Sequence, residues 1–184
     1  MRLILGGARS GKSSRANAAA EKFSRVVYLA TGRAVDEEME KRIARHRTDR
    51  PDDWETWEEP LHIPRALEKL RERDFRGLVL LDCVGFWVSN MLENCEGLDG
   101  EEGEEMILEK VRKAIETAEG APYQLIVVSN VVGMGVVPGS ELGRQFRDVL
   151  GLVNQSLGRA AERVTLMVAG LPTPLKKDGE STVE

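Results

Sequence analysis

The sequence predicts an α/β fold in which a mainly parallel β-sheet is flanked by helices on both sides, giving three layers. Short runs of aliphatic and β-branched residues alternate along the chain with longer segments of helical periodicity. That alternation is typical of βαβ units. The short runs are also apolar on both faces, as strands must be when helices cover both sides of their sheet.

Each element is predicted from the same pattern. Strands are expected at residues 3–5, 26–30, 78–82, 125–129 and 164–169, with a short additional strand at 54–58. Helices are expected at residues 12–23, 35–48, 62–73, 84–93, 104–119 and 140–162. The Gly- and Glu-rich segment 94–105 is expected to be a flexible loop, and 176–184 a frayed tail. Neither segment marks a boundary, so residues 1–184 are expected to form a single domain.

The first connection carries a phosphate-binding pattern of the form G-x-x-x-x-G-K-[ST]. It reads Gly6-Gly7-Ala8-Arg9-Ser10-Gly11-Lys12-Ser13. It follows a predicted strand and opens a predicted helix, the context in which backbone N–H groups and a helix N-terminus hold a triphosphate. Lys12 is then expected to reach the β- and γ-phosphates, and the Ser13 hydroxyl to bind Mg²⁺. The alternative is a strand-to-helix turn that merely contains two glycines and a lysine, and the flanking elements argue against it.

Composition and charge limit the possible classes of protein. The chain has 184 residues, 41% of them hydrophobic, and a net charge of -5, so it can bury one core and is not expected to bind nucleic acid. No apolar run approaches the roughly 20 residues of a membrane span, and no leader precedes the first strand, so a cytoplasmic protein is expected. Cys83 and Cys95 lack the spacing of a metal site and are expected to be reduced thiols.

Asp82 ends the buried run 78–81. Ligands of parallel α/β sheets collect at the carboxyl ends of the strands, so Asp82 is a candidate to hold Mg²⁺ beside Ser13. The alternative is that Asp82 caps the helix that begins near Val84. The order and character of the two strands favour the metal.

The predicted helix 35–48 leads into a basic cluster. Arg42, His46 and Arg50 are four residues apart and share one face. A neutral imidazole between guanidinium groups suits attack on phosphorus, because the cations lower the pKa of the imidazole and neutralise phosphate charge. On spacing alone, however, a solvated histidine is the more common outcome. The loop 129–138, which contains two glycines and a proline, equally fits a shaped ligand-binding loop or a plain connection.

These segments, in this order, resemble the bifunctional adenosylcobinamide kinase / adenosylcobinamide-phosphate guanylyltransferase family. The resemblance runs almost end to end. The residues that carry it are 6–13, 28–31, 36–39, Arg42, Ile43, His46, Arg50, Pro51, Trp54, Thr56, 58–60, 129–130, 132–138, 146–148, 153–155 and 168–170. A phosphate-binding loop is shared by many families, but the spaced pattern around His46 is specific.

The resemblance implies a RecA-like P-loop NTPase fold and two reactions. The first phosphorylates the aminopropanol hydroxyl of adenosylcobinamide from ATP or GTP, and the second transfers GMP from GTP to that phosphate through a guanylyl-histidine. His46 matches the guanylylated histidine, and Lys12 is the second catalytic residue. The resemblance further implies a corrinoid acceptor and a homo-oligomer such as a trimer, while Mg²⁺ is expected at Ser13 and Asp82 from the loop pattern and the strand end.

The phosphate-binding pattern and the resemblance together predict a set of residues around the nucleotide. These are Gly6, Gly7, Ala8, Arg9, Ser10, Gly11, Lys12, Ser13, Thr31, Gly32, Arg33, Arg47, Thr48, Asp49, Arg50, Glu58 and Asp82.

One position departs from the family pattern. The family usually has Asn-Glu-Val-Gly where this chain has Asn130-Val131-Val132-Gly133. If the missing carboxylate accepts a proton or holds metal, the kinase step is weakened here, whereas the guanylyl-transfer set is complete. Two other hypotheses are a simple small-metabolite kinase and a GTP-dependent switch. The chain lacks the N/T-K-x-D element expected of such a switch.

Overall fold

The structure is a computed structural model that describes residues 1–34, 36–48, 50–94 and 100–182, without the side chains of residues 38, 42, 45, 46 and 48. The strands are β1 (Arg2–Gly6), β2 (Val26–Ala30), β3 (Glu55–Glu58), β4 (Leu78–Asp82), β5 (Gln124–Asn130), β6 (Arg163–Val168), β7 (Leu171–Lys177) and β8 (Glu180–Ser181). The helices are α1 (Lys12–Ala20), α2 (Glu37–Thr48), α3 (Ile63–Glu72), α4 (Val84–Glu93), α5 (Gly100–Ala118) and α6 (Glu141–Ala160).

The strands form one sheet in the order β3-β2-β4-β5-β1-β6-β7-β8. The first six strands of that order are parallel, and β7 and β8 add antiparallel pairs at one side. The carboxyl end of β1 therefore lies between those of β5 and β6. The predicted α/β fold with a mainly parallel sheet is confirmed.

Helices cover both faces of the sheet because the strands alternate their side chains between two apolar layers. In β4, Leu78 and Leu80 pack with Ala16 and Ala20 of α1 on one face. Val79 and Leu81 point to the other face, where they pack with residues of α3, α4, α5 and α6. Both layers are mainly aliphatic and closely packed, and together they hold the carboxyl edge of the sheet in place.

The prediction of a frayed tail at 176–184 is wrong for residues 176–182. This segment completes β7 and forms β8, and the Lys176 amine donates hydrogen bonds to the carbonyls of Gly158 (3.2 Å) and Arg159 (2.8 Å) at the end of α6. Residues 183 and 184 lie outside the described residues. Strand β7 was not predicted because it contains two prolines, which have no N–H group to donate to a neighbouring strand. Pro172 and Pro174 are tolerated because, within the described residues, β8 pairs only with residues 176–177 and one side of each proline has no neighbouring strand.

The expected flexible loop at 94–105 is also wrong in its second half. Helix α5 begins at Gly100, so residues 100–105 are helical, with Glu101 and Glu102 in the first turn. Acidic side chains stabilise the positive end of a helix dipole, which explains why a Glu-rich stretch starts a helix here. Residues 95–99 lie outside the described residues, as does Val35 of the predicted helix 35–48.

Candidate active site

The phosphate-binding pattern forms a tight loop between β1 and α1. Arg9 and Gly11 have positive φ values of 54° and 94°, and such left-handed residues turn successive N–H groups toward one concavity. Gly6 is needed for space, because a Cβ there would lie 2.4 Å from Ser10 Oγ and 2.8 Å from the Met167 carbonyl. Residues 6–13 therefore form a preformed phosphate-binding loop, the phosphate cradle, rather than a chance turn with two glycines.

Lys12 begins α1 and folds back across the loop. Its side chain is buried, and its Nζ donates a 2.7 Å hydrogen bond to the Gly7 carbonyl. The amine thus lies over the same backbone that would surround a phosphate. Among the described residues no side chain caps the start of α1, and its first turn has no acidic residue, so the N-terminus keeps its affinity for an anion.

The neighbouring strands brace this loop from both sides. On the β5 side, the Val131 N–H donates to the Gly6 carbonyl at 3.0 Å, and on the β6 side the Gly170 N–H donates to the Ser10 carbonyl at 3.1 Å. Gly170 sits in the β6–β7 turn with a positive φ of 80°. Its contact with the loop was not predicted, because residues 10 and 170 are brought together only by the sheet order.

Asp82 lies at the carboxyl end of β4 and is held by a residue from the adjacent strand. The Tyr28 hydroxyl donates a 2.7 Å hydrogen bond to Asp82 Oδ2. Burial, and then the Asp82 carboxylate, raise the pKa of Tyr28 well above its usual range, so its hydroxyl stays protonated and remains a donor. Cys83, not Asp82, is the N-cap residue of α4, and within the described part of the chain no side chain makes a capping hydrogen bond there. The carboxylate is thus free of the capping role weighed above.

The donor chemistry around Asp82 fits Mg²⁺ rather than a cation held entirely by protein. Within the described ranges, no group of three or more His, Cys, Asp or Glu side chains could hold a metal. Mg²⁺ commonly uses one or two protein oxygens and completes its shell with phosphate and water. A strand-end carboxylate such as Asp82 and the Ser13 hydroxyl at the start of α1 match that requirement.

Thr31 is fully buried, and its hydroxyl is already occupied. The hydroxyl donates to the Cys83 carbonyl at 2.7 Å and accepts from the Cys83 N–H at 2.9 Å. The Thr31 carbonyl accepts from the buried amide of Asn90 at 2.8 Å. Thr31 therefore shapes the connection from β4 to α4. Asn90 supports it, and this role was not predicted, because no periodic pattern in the sequence indicates it. Burial raises the pKa of the Cys83 thiol to about 12, which keeps it neutral.

Gly32 and Arg33 follow β2 at the same edge. The Ile43 side chain packs against Gly32, with its Cδ1 3.6 Å from where a Cβ would stand. This contact attaches α2 to the end of β2. The side chain of Arg33 is half-exposed and forms an ion pair with Glu93, with Nη1 3.9 Å from Oε2.

A cavity of about 350 Å³ lies beside the C-terminal end of α2. Its lining residues are Arg47, Arg50, Pro51, Asp52, Trp54, Thr56 and Glu58. Arg47 pairs with Glu58, and the Arg50 guanidinium lies over the Tyr28 ring, 3.4 Å from its centroid. The Arg50 Nε is buried without a hydrogen-bond partner among the described residues. The cavity thus brings together the predicted nucleotide-binding residues Arg47, Arg50 and Glu58. Tyr28 contacts both Arg50 and Asp82, so it connects this cavity to the end of β4.

His46 is part of helix α2, close in sequence to this cavity. Its side chain and that of Thr48 lie outside the described residues, as does Asp49 entirely. Helix α2 follows β2, and β4 and β5 separate β2 from β1 in the sheet. Because neighbouring strands are about 4.8 Å apart, the ends of β2 and β1 are separated by roughly 14 Å. The helix of His46 and the phosphate-binding loop therefore share an edge without being adjacent.

The fold and this edge define a P-loop α/β protein with a RecA-like sheet. A solved type III secretion system ATPase of pathogenic bacteria has the same fold, with a TM-score of 0.60 at 12% sequence identity. The superposition covers 94% of this chain and 56% of that chain. The present chain thus spans little more than half of the ATPase, and the likeness concerns the fold.

The chain belongs to the cobinamide kinase / cobinamide phosphate guanyltransferase family, whose sequence profile matches residues 2–175. It is 45% identical over 177 residues to the bifunctional adenosylcobalamin biosynthesis protein CobP of Pseudomonas aeruginosa, covering 95% of this chain and 96% of the relative. It is 40% identical over 182 residues to the corresponding CobU protein of Escherichia coli, covering 96% and 99%.

The predicted family and activity are confirmed. This protein is an enzyme with the bifunctional kinase and guanylyltransferase role in adenosylcobalamin biosynthesis. A cobinamide substrate and nucleotide co-substrates fit that family. Among the helices of the described residues, none combines the length and apolar character that a membrane-spanning segment requires.

Proposed function

We propose that the carboxyl edge of this sheet performs both reactions through the residues predicted from the sequence. The observation that carries the proposal is the pairing of two sites along one edge. One is the glycine-shaped cradle with Lys12 across it, and the other is the cavity containing Arg47, Arg50 and Glu58 beside the helix of His46.

In the kinase step, the cradle holds the triphosphate of the donor nucleotide. The aminopropanol hydroxyl oxygen of adenosylcobinamide bonds to the γ-phosphorus, the bond from that phosphorus to the bridging oxygen breaks, and the nucleoside diphosphate leaves. Lys12 moves from the Gly7 carbonyl to the phosphates and stabilises the charge that develops on them. The hydroxyl proton passes to water at the open edge, since residue 131 is a valine. Both ATP and GTP are proposed as donors.

In the transfer step, His46 is the nucleophile. An imidazole nitrogen bonds to the α-phosphorus of GTP and the bond to the β-phosphate oxygen breaks, releasing pyrophosphate. A phosphate oxygen of adenosylcobinamide phosphate then bonds to the same phosphorus, the P–N bond breaks, and adenosylcobinamide-GDP forms. Arg47 and Arg50 are placed to stabilise the phosphate charge, and the Arg50 Nε offers a donor that lacks a partner among the described residues.

Mg²⁺, when bound, would offset phosphate charge. Ser13 and Asp82 are the proposed protein ligands, because a hydroxyl and a strand-end carboxylate suit this hard cation. Tyr28 fixes one oxygen of Asp82 by its hydrogen bond, which leaves the other for the cation.

We also propose that the protein acts in the cytoplasm, where its nucleoside triphosphate substrates are found.

We propose a homo-oligomer, such as a trimer, as the working form. The two strands between β2 and β1 separate the His46 helix from the cradle of its own subunit. In an oligomer, a nucleotide held by the cradle of one subunit would be able to contact His46 of the partner subunit. Residues 1–184 are proposed to act as one domain, a view supported by the single sheet.

Labelling with GTP tests the nucleophile. Incubation of the purified protein with Mg²⁺ and α-labelled GTP should add one GMP per subunit through an acid-labile, base-stable bond. His46→Asn should abolish the label, whereas His62→Asn, a change to the other histidine of the chain, serves as the matched control and should retain it. Label that persists in His46→Asn refutes the assignment, and a wild-type protein that phosphorylates the corrinoid but takes no label is a simple kinase.

Lys12→Ala tests the cradle in both reactions. Loss of the amine should lower the rates of phosphorylation and of GMP labelling by about 10²-fold or more, because charge on the transferring phosphoryl groups loses its nearest cation. Full activity in this variant would remove the cradle from the mechanism.

A further inference from the structure

The large exposed apolar side chains of the described residues are concentrated at one place. They are Met134, Val136, Val137, Leu142, Val168 and Leu171, with Met134 at 83% and Val136 at 95% exposure. All six lie in two stretches, one from the end of β5 to the first turn of α6 and the other from the last residue of β6 to the first residue of β7. Scattered exposed apolar residues are ordinary, but a cluster on the two segments that flank one loop indicates a binding surface.

Both segments are attached directly to the phosphate-binding loop. Strand β1 lies between β5 and β6, and the hydrogen bonds from Val131 to Gly6 and from Gly170 to Ser10 fix one segment on each side of the loop. Val168 and Leu171 are direct partners across the β6–β7 pair, so their side chains share a face. The exposed groups thus form an apolar rim, defined as Met134, Val136, Val137, Val168 and Leu171.

The β5 segment is presented on a fixed frame. Ser140 caps α6 by accepting a hydrogen bond from the Gly143 N–H at 3.2 Å. The Arg144 guanidinium donates to the carbonyls of Pro138 and Gly139 at 3.2 and 2.8 Å. With the Val131 contact at its other end, this segment is anchored on both sides of its exposed side chains. The backbone of this segment is therefore held in place by hydrogen bonds, while its apolar side chains remain exposed to solvent.

The two segments are also uncharged. Residues 131–140 and 168–175 contain no Asp, Glu, Lys or Arg, in a chain of which 31% is charged. Such a surface does not attract the triphosphate, whose charge is served by the cradle itself. It suits a broad ligand whose outer surface is uncharged and apolar and which must approach the γ-phosphate. The corrinoid acceptor has these properties, since its ring carries methyl groups and neutral amides.

We infer that the apolar rim is the docking surface for the corrinoid ring, which it holds so that the aminopropanol arm reaches the phosphate cradle. This inference rests on the proposed use of the cradle for the kinase step. The rim lies on both sides of the cradle, so the ring can rest on it while the arm extends over the Gly6–Ser13 loop.

Two paired substitutions test the rim from its two sides. Val136→Ser with Val137→Ser removes apolar surface from the β5 segment, and Val168→Ser with Leu171→Ser removes it from the β6–β7 turn. Each pair should raise the KM for adenosylcobinamide in the phosphorylation reaction on the order of tenfold, with the KM for the nucleotide changed less than twofold, because uniform binding of the acceptor is lost. Glu116→Ser with Glu119→Ser, at the opposite edge of the sheet, is the control and should match the wild type. Thermal melting identifies any pair that fails to fold, and the other pair then decides the result.

An unchanged KM for the corrinoid in the folded variants would overturn the inference. It would also be overturned if sedimentation showed that the variants dissociate and that their KM depends on protein concentration, since the rim would then join subunits. These outcomes differ from failure of the proposed function itself, in which the wild-type protein would form no phosphorylated corrinoid.

Discussion

Tyr28 is the residue that most directly connects the two parts of the site. Its buried hydroxyl donates to Asp82, and its ring lies beneath the Arg50 guanidinium and stacks near Trp54, with ring centroids 6.4 Å apart. One side chain thus contacts both the proposed metal carboxylate and the cavity beside α2. Tyr28 belongs to the segment 28–31 that carries the family resemblance, but its contacts with Asp82 and Arg50 were not predicted from the sequence.

Tyr28→Phe should weaken the use of Mg²⁺ while the fold is kept. The ring and its stacking remain, but Asp82 Oδ2 loses its donor, so the carboxylate is no longer held in one orientation. We expect the Mg²⁺ concentration for half-maximal activity to rise several-fold and the free energy of unfolding to fall by about 1 kcal/mol. Magnesium titration of both reactions and urea unfolding measure these changes. An unaltered magnesium requirement would contradict a positioning role for Tyr28.

Val131 is the position at which this chain departs from the family pattern. Its N–H donates to the Gly6 carbonyl, so its backbone is attached directly to the phosphate cradle. Val131→Glu should therefore raise kcat of the kinase step by about tenfold, because a carboxylate beside the cradle can accept the hydroxyl proton. GMP labelling of His46 needs no such base and should change little.

Val131→Gln is the matched control for this change, since it adds the same length without a charge. It should leave the kinase rate near that of the parent chain. Equal phosphorylation rates in all three proteins would show that a carboxylate at this position is not needed.

At the scale of single elements, the loop between β1 and α1 depends on backbone conformation. Gly11 has φ of 94°, and a Cβ there would also lie 3.4 Å from the Gly170 Cα. Gly11→Ala should cost about 1–2 kcal/mol of folding free energy and weaken GTP binding at least tenfold, because L residues disfavour this conformation and the N–H groups would turn away. Gly151→Ala, inside α6 with open space around it, should instead stabilise the protein by about 0.5–1 kcal/mol. Thermal melting with and without GTP distinguishes the two.

At the scale of the whole molecule, the C-terminal hairpin ties distant elements together. Lys176 holds the end of α6, and the Gly179 N–H donates to the Glu162 carbonyl at 2.9 Å. Ending the chain after Leu175 removes these bonds and β8, so the free energy of unfolding should fall by about 2 kcal/mol. Ending it after Thr182 should have no effect. Urea unfolding compares the two forms, and equal stability of both would support the frayed tail expected from the sequence.

Periodicity in the sequence was enough to predict β2, β4 and α4 at their observed bounds, because alternation and helical spacing are local properties of the chain. The phosphate-binding loop was also predictable, since its glycines and lysine lie within eight consecutive residues. Strand β7 was not, because its prolines argue against a strand until its position beside β6 is known. His46, Arg47 and Glu58 were predicted from a spaced pattern rather than from any single physical signal.

The sequence by itself determined the α/β class, the cradle and the candidate nucleophile of this enzyme, since each depends on residues close together in the chain. Only the tertiary structure decided what surrounds them: the hydrogen bond from Tyr28 to Asp82, the support of the cradle by Val131 and Gly170, and the apolar rim. The physical reason is the sheet order, which places β1 between strands that follow it by more than a hundred residues.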